Sequence, residues 1–410
     1  MVVEVRIDKY SLKCVLAALI LFLISAPSYS QRSGEFIFAK VTTKSNEQYE
    51  GFVRWGKEEL AWHDVFNSVK VHQRHTKQTK KGLWDDFNWD IASIWEDKYR
   101  ETDHTFACFF GDIKSITPKS NSKLDLKLKN GSVIKLEGGS NDVGATLQVF
   151  DHELGLILIP WNKIQSIDFK QAQRYNKYPF GELLYGTIYT YKKGIIEGYI
   201  KWDLDERAGL DVLDGYSGNK DIQVKFADIK SIKRHEEGAY VTTNHGKEMF
   251  LRGTNDVNSG NRGIAIYNHE VGRIELGWKE FKKVVFHPNE RRGPTYTDFE
   301  EPQGIHARVL TYSDEDHDGM IVFDIDERWE LELIDGDDDN IKYQIPFRNI
   351  KTIYPKNKTY SIIYLKNGDQ LLLGERQDVS GNNDGLLLFL KSKDEPIHVD
   401  WSEIVEINIK

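Results

Sequence analysis

Two acidic strings hold the residue types best suited to bind a hard cation. Both read Asp-x-Asp-Glu, and alternate residues of an extended segment project from one face, so their carboxylates could share a calcium ion. Alternatively, the strings form a solvated acidic edge that blocks pairing between strands of different molecules. We favour the acidic edge, because short motifs arise by chance in an acidic chain, and expect no cofactor other than calcium. The candidate metal ligands are Asp203, Asp205, Glu206, Asp324, Asp326 and Glu327.

A third acidic stretch, from Asp314 to Gly319, begins with the Asp-x-Asp-x-Asp-Gly pattern of a calcium-binding loop. The pattern then fails, because Ile325 occupies the twelfth position, where a bidentate glutamate should complete the coordination. We therefore predict an acidic hairpin tip at this stretch.

Two sets of recurring residues have a structural and a functional interpretation. Asp142, Asp256 and Asp378 precede a predicted strand, where aspartate commonly sets a turn, although a shared ligand-binding loop is the alternative. Tryptophan could stack on carbohydrate, but the phase of these tryptophans with following apolar residues favours the core. The tryptophans concerned are Trp161, Trp278 and Trp401.

The sequence contains no known catalytic motif. It has no Gly-x-Ser-x-Gly, no His-Glu-x-x-His, no phosphate-binding glycine loop and no Cys/His metal spacing. A hydrolase could still use two carboxylates at a suitable distance, which the sequence does not specify. Whether the protein is an enzyme therefore stays open, and we favour a role without catalysis.

The elements that must position these residues belong to an internal repeat. The string from Tyr191 to Gly215 recurs from Tyr312 to Gly336, 121 residues later, and Ile229–Ile232 recurs as Ile350–Ile353 at the same offset. An earlier copy keeps Ile113–Ile116 but has a weaker front half and an insertion at about 66–104. In that insertion, residues 84–99 fit a short amphipathic helix that caps the array or binds a partner.

Each repeat divides into two half-units that end in the pattern aromatic-x-x-apolar-x-x-apolar, as at Phe226/Ile229/Ile232 and Trp278/Phe281/Val284. This spacing favours one 3₁₀ turn before a final strand, and alternating runs around Asn130-Gly131 and Asn367-Gly368 predict hairpins. In pattern, each half-unit of about fifty residues resembles SH3-like or Sm-like small barrels. No functional residue follows from this resemblance.

We therefore predict an all-β fold of three tandem repeats, each made of two small barrels or one sandwich. The predicted domains span 31–171, 181–288 and 304–410, with linkers at 171–180 and 288–304.

The N-terminus indicates export. Arg6, Lys9 and Lys13 precede an apolar run that is too short to span a bilayer comfortably, so residues 1–30 read as a signal peptide. Cys14 does not lie in the small, apolar setting of a lipid-modified cysteine, and its removal leaves Cys108 without a disulfide partner. We expect a periplasmic or extracellular protein with no integral membrane span after cleavage.

The charge and the repeats together favour a binding role. A formal net charge of −9 disfavours nucleic acid and anionic membranes as partners. Repeat arrays present extended surfaces that usually bind. We expect an exported, non-enzymatic binding or scaffolding protein of the cell envelope or extracellular space, with a protein or polysaccharide partner. The alternatives are a calcium-dependent adhesion module that uses the acidic strings, and a carboxylate-based hydrolase.

Overall fold

A computed structural model describes residues 34–70, 105–138, 142–172, 179–393 and 395–410. Within these ranges the chain is all-β, with strands and short 3₁₀ turns and no helix as long as seven residues. The all-β prediction is confirmed. The predicted signal peptide and the predicted helix at 84–99 lie outside the described residues. The described part of the predicted insertion, 66–70, is strand.

The first segment forms one ten-stranded antiparallel sheet. Its strands are β1 (Phe38–Thr43), β2 (Gln48–Trp55), β3 (Val65–Lys70), β4 (Thr105–Phe109), β5 (Ile113–Pro118), β6 (Lys123–Leu128), β7 (Val133–Glu137), β8 (Leu147–Asp151), β9 (Gly155–Ile159) and β10 (Ile164–Phe169). The strand order across the sheet is β4-β3-β7-β6-β5-β10-β1-β2-β8-β9.

The remaining strands form an 18-stranded sheet and a separate hairpin of β13 and β14. The second segment contains β11 (Tyr185–Thr190), β12 (Ile195–Lys201), β13 (Val212–Ser217), β14 (Lys220–Lys225), β15 (Ile229–His235), β16 (Gly238–Thr243), β17 (Glu248–Leu251), β18 (Ile264–Asn268), β19 (Gly272–Leu276) and β20 (Phe281–Phe286). The third segment contains β21 (His306–Thr311), β22 (Asp316–Phe323), β23 (Leu333–Asp338), β24 (Ile341–Pro346), β25 (Ile350–Pro355), β26 (Tyr360–Leu365), β27 (Gln370–Gly374), β28 (Leu386–Phe389), β29 (Ile397–Val399) and β30 (Ile404–Ile409).

Strand pairing follows one order in all three segments. In the first segment, β1 pairs with β2 and β10, β2 pairs with β8, and β10 pairs with β5. The strands β11, β12, β18, β20 and β15 pair in the same order, as do β21, β22, β28, β30 and β25. Both predicted half-units of a segment thus contribute to one sheet. No sheet in the described residues closes on itself, so separate small barrels are not confirmed.

Five of the six closing motifs form the 3₁₀ turn that their spacing predicts, at Phe110–Asp112, Trp161–Lys163, Phe226–Asp228, Phe347–Asn349 and Trp401–Glu403. Each turn leads directly into a strand whose first residue is a buried isoleucine. The aromatic residue and the isoleucine lie on one side because the turn advances the chain by three residues.

The segments share their hydrophobic interior. One core is built from the first segment together with Tyr199 from β12, Phe299 from the linker before β21, and Trp329 and Leu331 from the third segment. A second core runs through the second and third segments, from Leu184 to Ile409. The three segments therefore pack against one another.

Candidate functional site

The two acidic strings form tight turns, which corrects the extended conformation expected for them. Asp203 and Leu204 have φ of 48° and 63°, and Asp324 and Ile325 have φ of 49° and 57°. Two successive left-handed residues reverse the chain at once, so the N–H of Trp202 reaches the carbonyl oxygen of Glu206 at 2.8 Å. The strings are therefore neither one face of a strand nor the solvated acidic edge that we favoured, since Asp203, Asp324, Asp326 and Glu327 are buried.

In the first string, a guanidinium lies where a metal ion would bind. The carboxylates of Asp203, Asp205 and Glu206 place ligand oxygens within 4.8 Å of one another. The side chain of Arg262 contacts Asp203 at 2.9 Å and Asp205 at 2.6 Å. The Arg262 backbone N–H also donates to Asp203 Oδ1 at 2.5 Å. The positive charge that this cluster requires is thus supplied by the same segment.

The third carboxyl of this cluster holds a proton at neutral pH. Burial raises the pKa of Glu206 to about 10, and the adjacent Asp205 carboxylate adds to the rise. The neutral carboxyl can donate a hydrogen bond to its neighbour. The cluster therefore carries less negative charge than its composition suggests.

The second string contacts a lysine of another segment. Lys70, at the end of β3, lies 2.7 Å from Asp326 Oδ1 and 2.6 Å from Glu332 Oε1, and all three side chains are buried. Burial alone would lower the pKa of Lys70, but the Asp326 and Glu332 charges outweigh it and raise the pKa. The second string therefore joins the first segment to the third.

The other two carboxyls of the second string, Asp324 and Glu327, hold their protons more tightly than exposed carboxyls do. Burial, with Asp378 nearby, raises the pKa of Asp324 to about 9. Burial also raises the pKa of Glu327 well above its usual range. Within the described ranges, only the first string brings three carboxylates close enough to share an ion.

The recurring aspartates make a contact that the sequence did not predict. Each accepts a hydrogen bond from the backbone N–H of a neighbouring strand at 2.6–2.8 Å. The aspartate–donor pairs are Asp142–Asn67, Asp256–Asp214 and Asp378–Asp335. They attach the loop before β8, β18 or β28 to β3, β13 or β23 of the same segment.

The tryptophans of the closing motifs lie in the core, as predicted. Trp161, Trp278 and Trp401 are 3%, 5% and 6% exposed, which leaves no face on which a sugar could stack. Trp161 and Trp278 pack edge-to-face on Trp55 and Trp202, with ring centroids about 6 Å apart. The stretch that begins at Asp314 is a hairpin tip between β21 and β22, also as predicted.

Ion pairs between the first and second segments were not apparent from the sequence. Arg207 donates to Asp64 at 2.9 Å, Lys201 donates to Glu59 at 2.7 Å, and Arg54 contacts Asp211 at 2.6 Å. Burial raises the pKa of Glu59 to about 8 despite the opposing Lys201 charge. For Asp64, the Arg207 charge outweighs burial and lowers the pKa to about 2. The first two of these ion pairs line a cavity of only about 40 Å³, too small for an organic substrate.

The larger concave feature is a groove between the sheet of the second segment and the linker that follows it. We call it the linker groove. Its cavity has a volume of about 1120 Å³ and opens to solvent. Aromatic rings of Tyr185, Tyr267 and His287 line it together with the polar side chains of Glu197 and Arg291. A second cavity of about 320 Å³ shares Tyr185, His287 and Arg291 and extends the groove.

Contacts with buried side chains hold the linker in place above the groove. The Gly293 N–H donates to Glu35 Oε1 at 2.9 Å, and Asn289 Nδ2 donates to the Tyr199 hydroxyl at 3.0 Å. A Cβ at Gly293 would lie 2.1 Å from the Tyr199 hydroxyl, so only glycine permits this approach. The wall of the groove is thus built before any ligand binds.

The linker groove was missed because its residues carry no shared motif. Pro288, Pro294 and Pro302 indicated a linker, but prolines at this spacing show only that the chain leaves regular structure. No sequence signal places that run beside Tyr185, roughly a hundred residues earlier.

Comparisons with known proteins add no identity. The chain matches no protein-family model, and neither curated proteins nor solved structures gave a significant match. In the part of the chain that the structure describes, no helix is long and apolar enough to cross a membrane.

Proposed function

We propose that this chain is an exported, non-enzymatic binding protein whose linker groove holds a segment of a neutral polysaccharide. The observation that carries the proposal is the groove itself, an open cavity of about 1120 Å³ with aromatic and hydrogen-bonding side chains on its walls. Ring faces pack against the C–H faces of sugars, and carboxylates, guanidinium groups and amides bind their hydroxyls.

The charge of the molecule selects among hydrophilic ligands. A formal net charge of −9 repels acidic polymers at long range, so neutral polysaccharides are the better match. The groove carries both signs of charge close together, as with Glu197 and Arg291, which suits hydroxyls better than ions of one sign.

The three segments support a scaffolding role in the same proposal. They repeat one order of strand pairing, which is the arrangement expected of tandem copies of one unit. Residues 1–30 have the pattern of a signal peptide, which supports a periplasmic or extracellular location. The polysaccharide-binding copy would then be the second, because the groove lies against its sheet.

Isothermal titration of the chain from Gln31 with soluble neutral polysaccharides (glucan, mannan and galactan) tests the proposal. We expect one of them to bind, and Glu197→Gln with Arg291→Ala to weaken binding about tenfold or more, because two charged hydrogen-bonding groups are lost. Arg308→Ala is the matched control, since this exposed arginine pairs with Asp316 on the third segment. Failure of all three polymers to bind, or equal binding by the double variant, would refute the proposal.

A further inference from the structure

The strand that precedes the last closing motif of each segment differs between the segments in what pairs with its outer edge. These equivalent strands are β9, β19 and β29. The outer edge of β19 is covered by β24 of the third segment, with four residue pairs from Arg273–Gln344 to Leu276–Ile341. Within the described residues, β9 and β29 each pair with one strand only. The chain itself therefore shows that a strand can be added at this position.

The charge pattern at the covered edge matches its partner. Glu275 of β19 accepts a hydrogen bond from Lys342 Nζ at 2.8 Å, and Arg273 donates to Gln344 Oε1 at 2.6 Å. Strand addition at β19 is thus selective, since each polar side chain on the outer face meets a complementary one.

The edge of β9 has no such polar pattern. At the positions of Arg273 and Glu275 it carries Leu156 and Leu158, which are 53% and 61% exposed, and Leu154 beside them is 65% exposed. No charged residue lies between Leu154 and Pro160. Proteins usually protect an open edge with charges, proline or shortness, and β29 has only three residues. Within Gly155–Ile159, β9 has neither a charge nor a proline, and it is two residues longer than β29.

We propose that β9 is a dimerisation edge that pairs antiparallel with β9 of a second copy of this chain. Antiparallel pairing about a twofold axis sets the uncharged leucines of one copy beside those of the other on one face of the sheet, so that each copy covers part of the other's leucines. The equivalent of β24 in the second segment, β14, fits less well as a partner. By the β19–β24 register it would set Asp221 against Leu158, leaving a carboxylate opposite an apolar side chain.

Sedimentation velocity of the chain from Gln31 over a range of concentrations tests this proposal. We expect a reversible dimer at about 100 μM, since one pair of strands with two leucine rows makes a small interface. Leu158→Lys should leave only monomer, because each copy would then place a charge against the apolar leucines of the other. Leu372→Lys is the matched control, since Leu372 is an exposed leucine on β27 and lies outside the proposed interface.

Two outcomes would overturn the proposal. One is a chain that stays monomeric at every concentration, and the other is a dimer that Leu158→Lys leaves intact.

Hydrogen exchange of the amides at 155–159 shows whether a second copy or another part of the same chain covers β9. Protection that grows with protein concentration supports a second copy, whereas protection of a dilute monomer means that another part of the same chain covers β9. Thermal unfolding of both lysine variants verifies that they are folded. The interface shares no residue with the linker groove, so this result is independent of polysaccharide binding.

Discussion

The two acidic strings have nearly the same sequence and opposite surroundings. In the first, Arg262 of the same segment pairs with Asp203 and Asp205, and its side chain is 47% exposed. In the second, Lys70 of another segment pairs with Asp326, and its side chain is 8% exposed. A repeated motif therefore keeps its backbone turn while its electrostatic partner is decided by what packs against it. The first string is a local ion pair, and the second is a buried connection between segments.

Removing the cation of each string should give the largest difference between the two strings in the free energy of unfolding. We expect Lys70→Met to lower the free energy of unfolding by about 3–5 kcal/mol, because Asp326 and Glu332 are left buried without their cation. Arg262→Gln should cost about 1 kcal/mol or less, because the Arg262 side chain is half-exposed and the buried Asp203 keeps its hydrogen bonds from the Arg262 backbone N–H and from Asn255. Urea unfolding monitored by tryptophan fluorescence measures both changes. Equal losses for the two variants would show that burial does not distinguish the strings.

The contribution of the first string to stability should depend on pH through Glu206. Glu206 has a pKa of about 10 in the folded chain, against an ordinary value of 4.5, so unfolding releases a proton between these values. Its contribution to stability is therefore greatest below pH 4.5 and declines as the pH rises towards 10. Glu206→Gln removes this decline. We therefore expect the free energy of unfolding of the variant, relative to that of the natural chain, to rise by at least about 1 kcal/mol from pH 5 to pH 8.

Urea unfolding at the two pH values checks this expectation. Glu248→Gln, at an exposed position of β17, is the control and should leave the pH dependence unchanged. If the free energies of unfolding of Glu206→Gln and of the natural chain differ by the same amount at pH 5 and pH 8, the pKa of Glu206 is not raised.

Calcium should have the smallest effect. We expect millimolar calcium to leave the midpoint of thermal unfolding of the natural chain unchanged, because Arg262 already neutralises Asp203 and Asp205. In Arg262→Gln the same carboxylates lack a cation, and calcium should raise the midpoint, with a gain of about 1 kcal/mol at ten times its Kd. A rise in the natural chain that disappears in Asp203→Asn would instead establish a calcium site at the first string.

The candidate site could be predicted only in part from the sequence. The buried positions of Trp161, Trp278 and Trp401 follow from their spacing to the next apolar residues, and this prediction is confirmed. The extended conformation expected for the acidic strings is wrong. The turn depends on Asp203 and Leu204 both adopting positive φ, which residues of these types rarely do without support from their surroundings.

By itself, the sequence determined the all-β class, the hairpins and the closing turns, because alternation, turn residues and the i, i+3, i+6 spacing act over a few residues. Only the tertiary structure decided that half-units share a sheet, that Lys70 reaches Asp326, and that the linker lies above Tyr185. These contacts join residues far apart in the chain. A side chain pairs with whatever charge or surface folding places within a few ångströms of it, and local pattern carries no information about that neighbour.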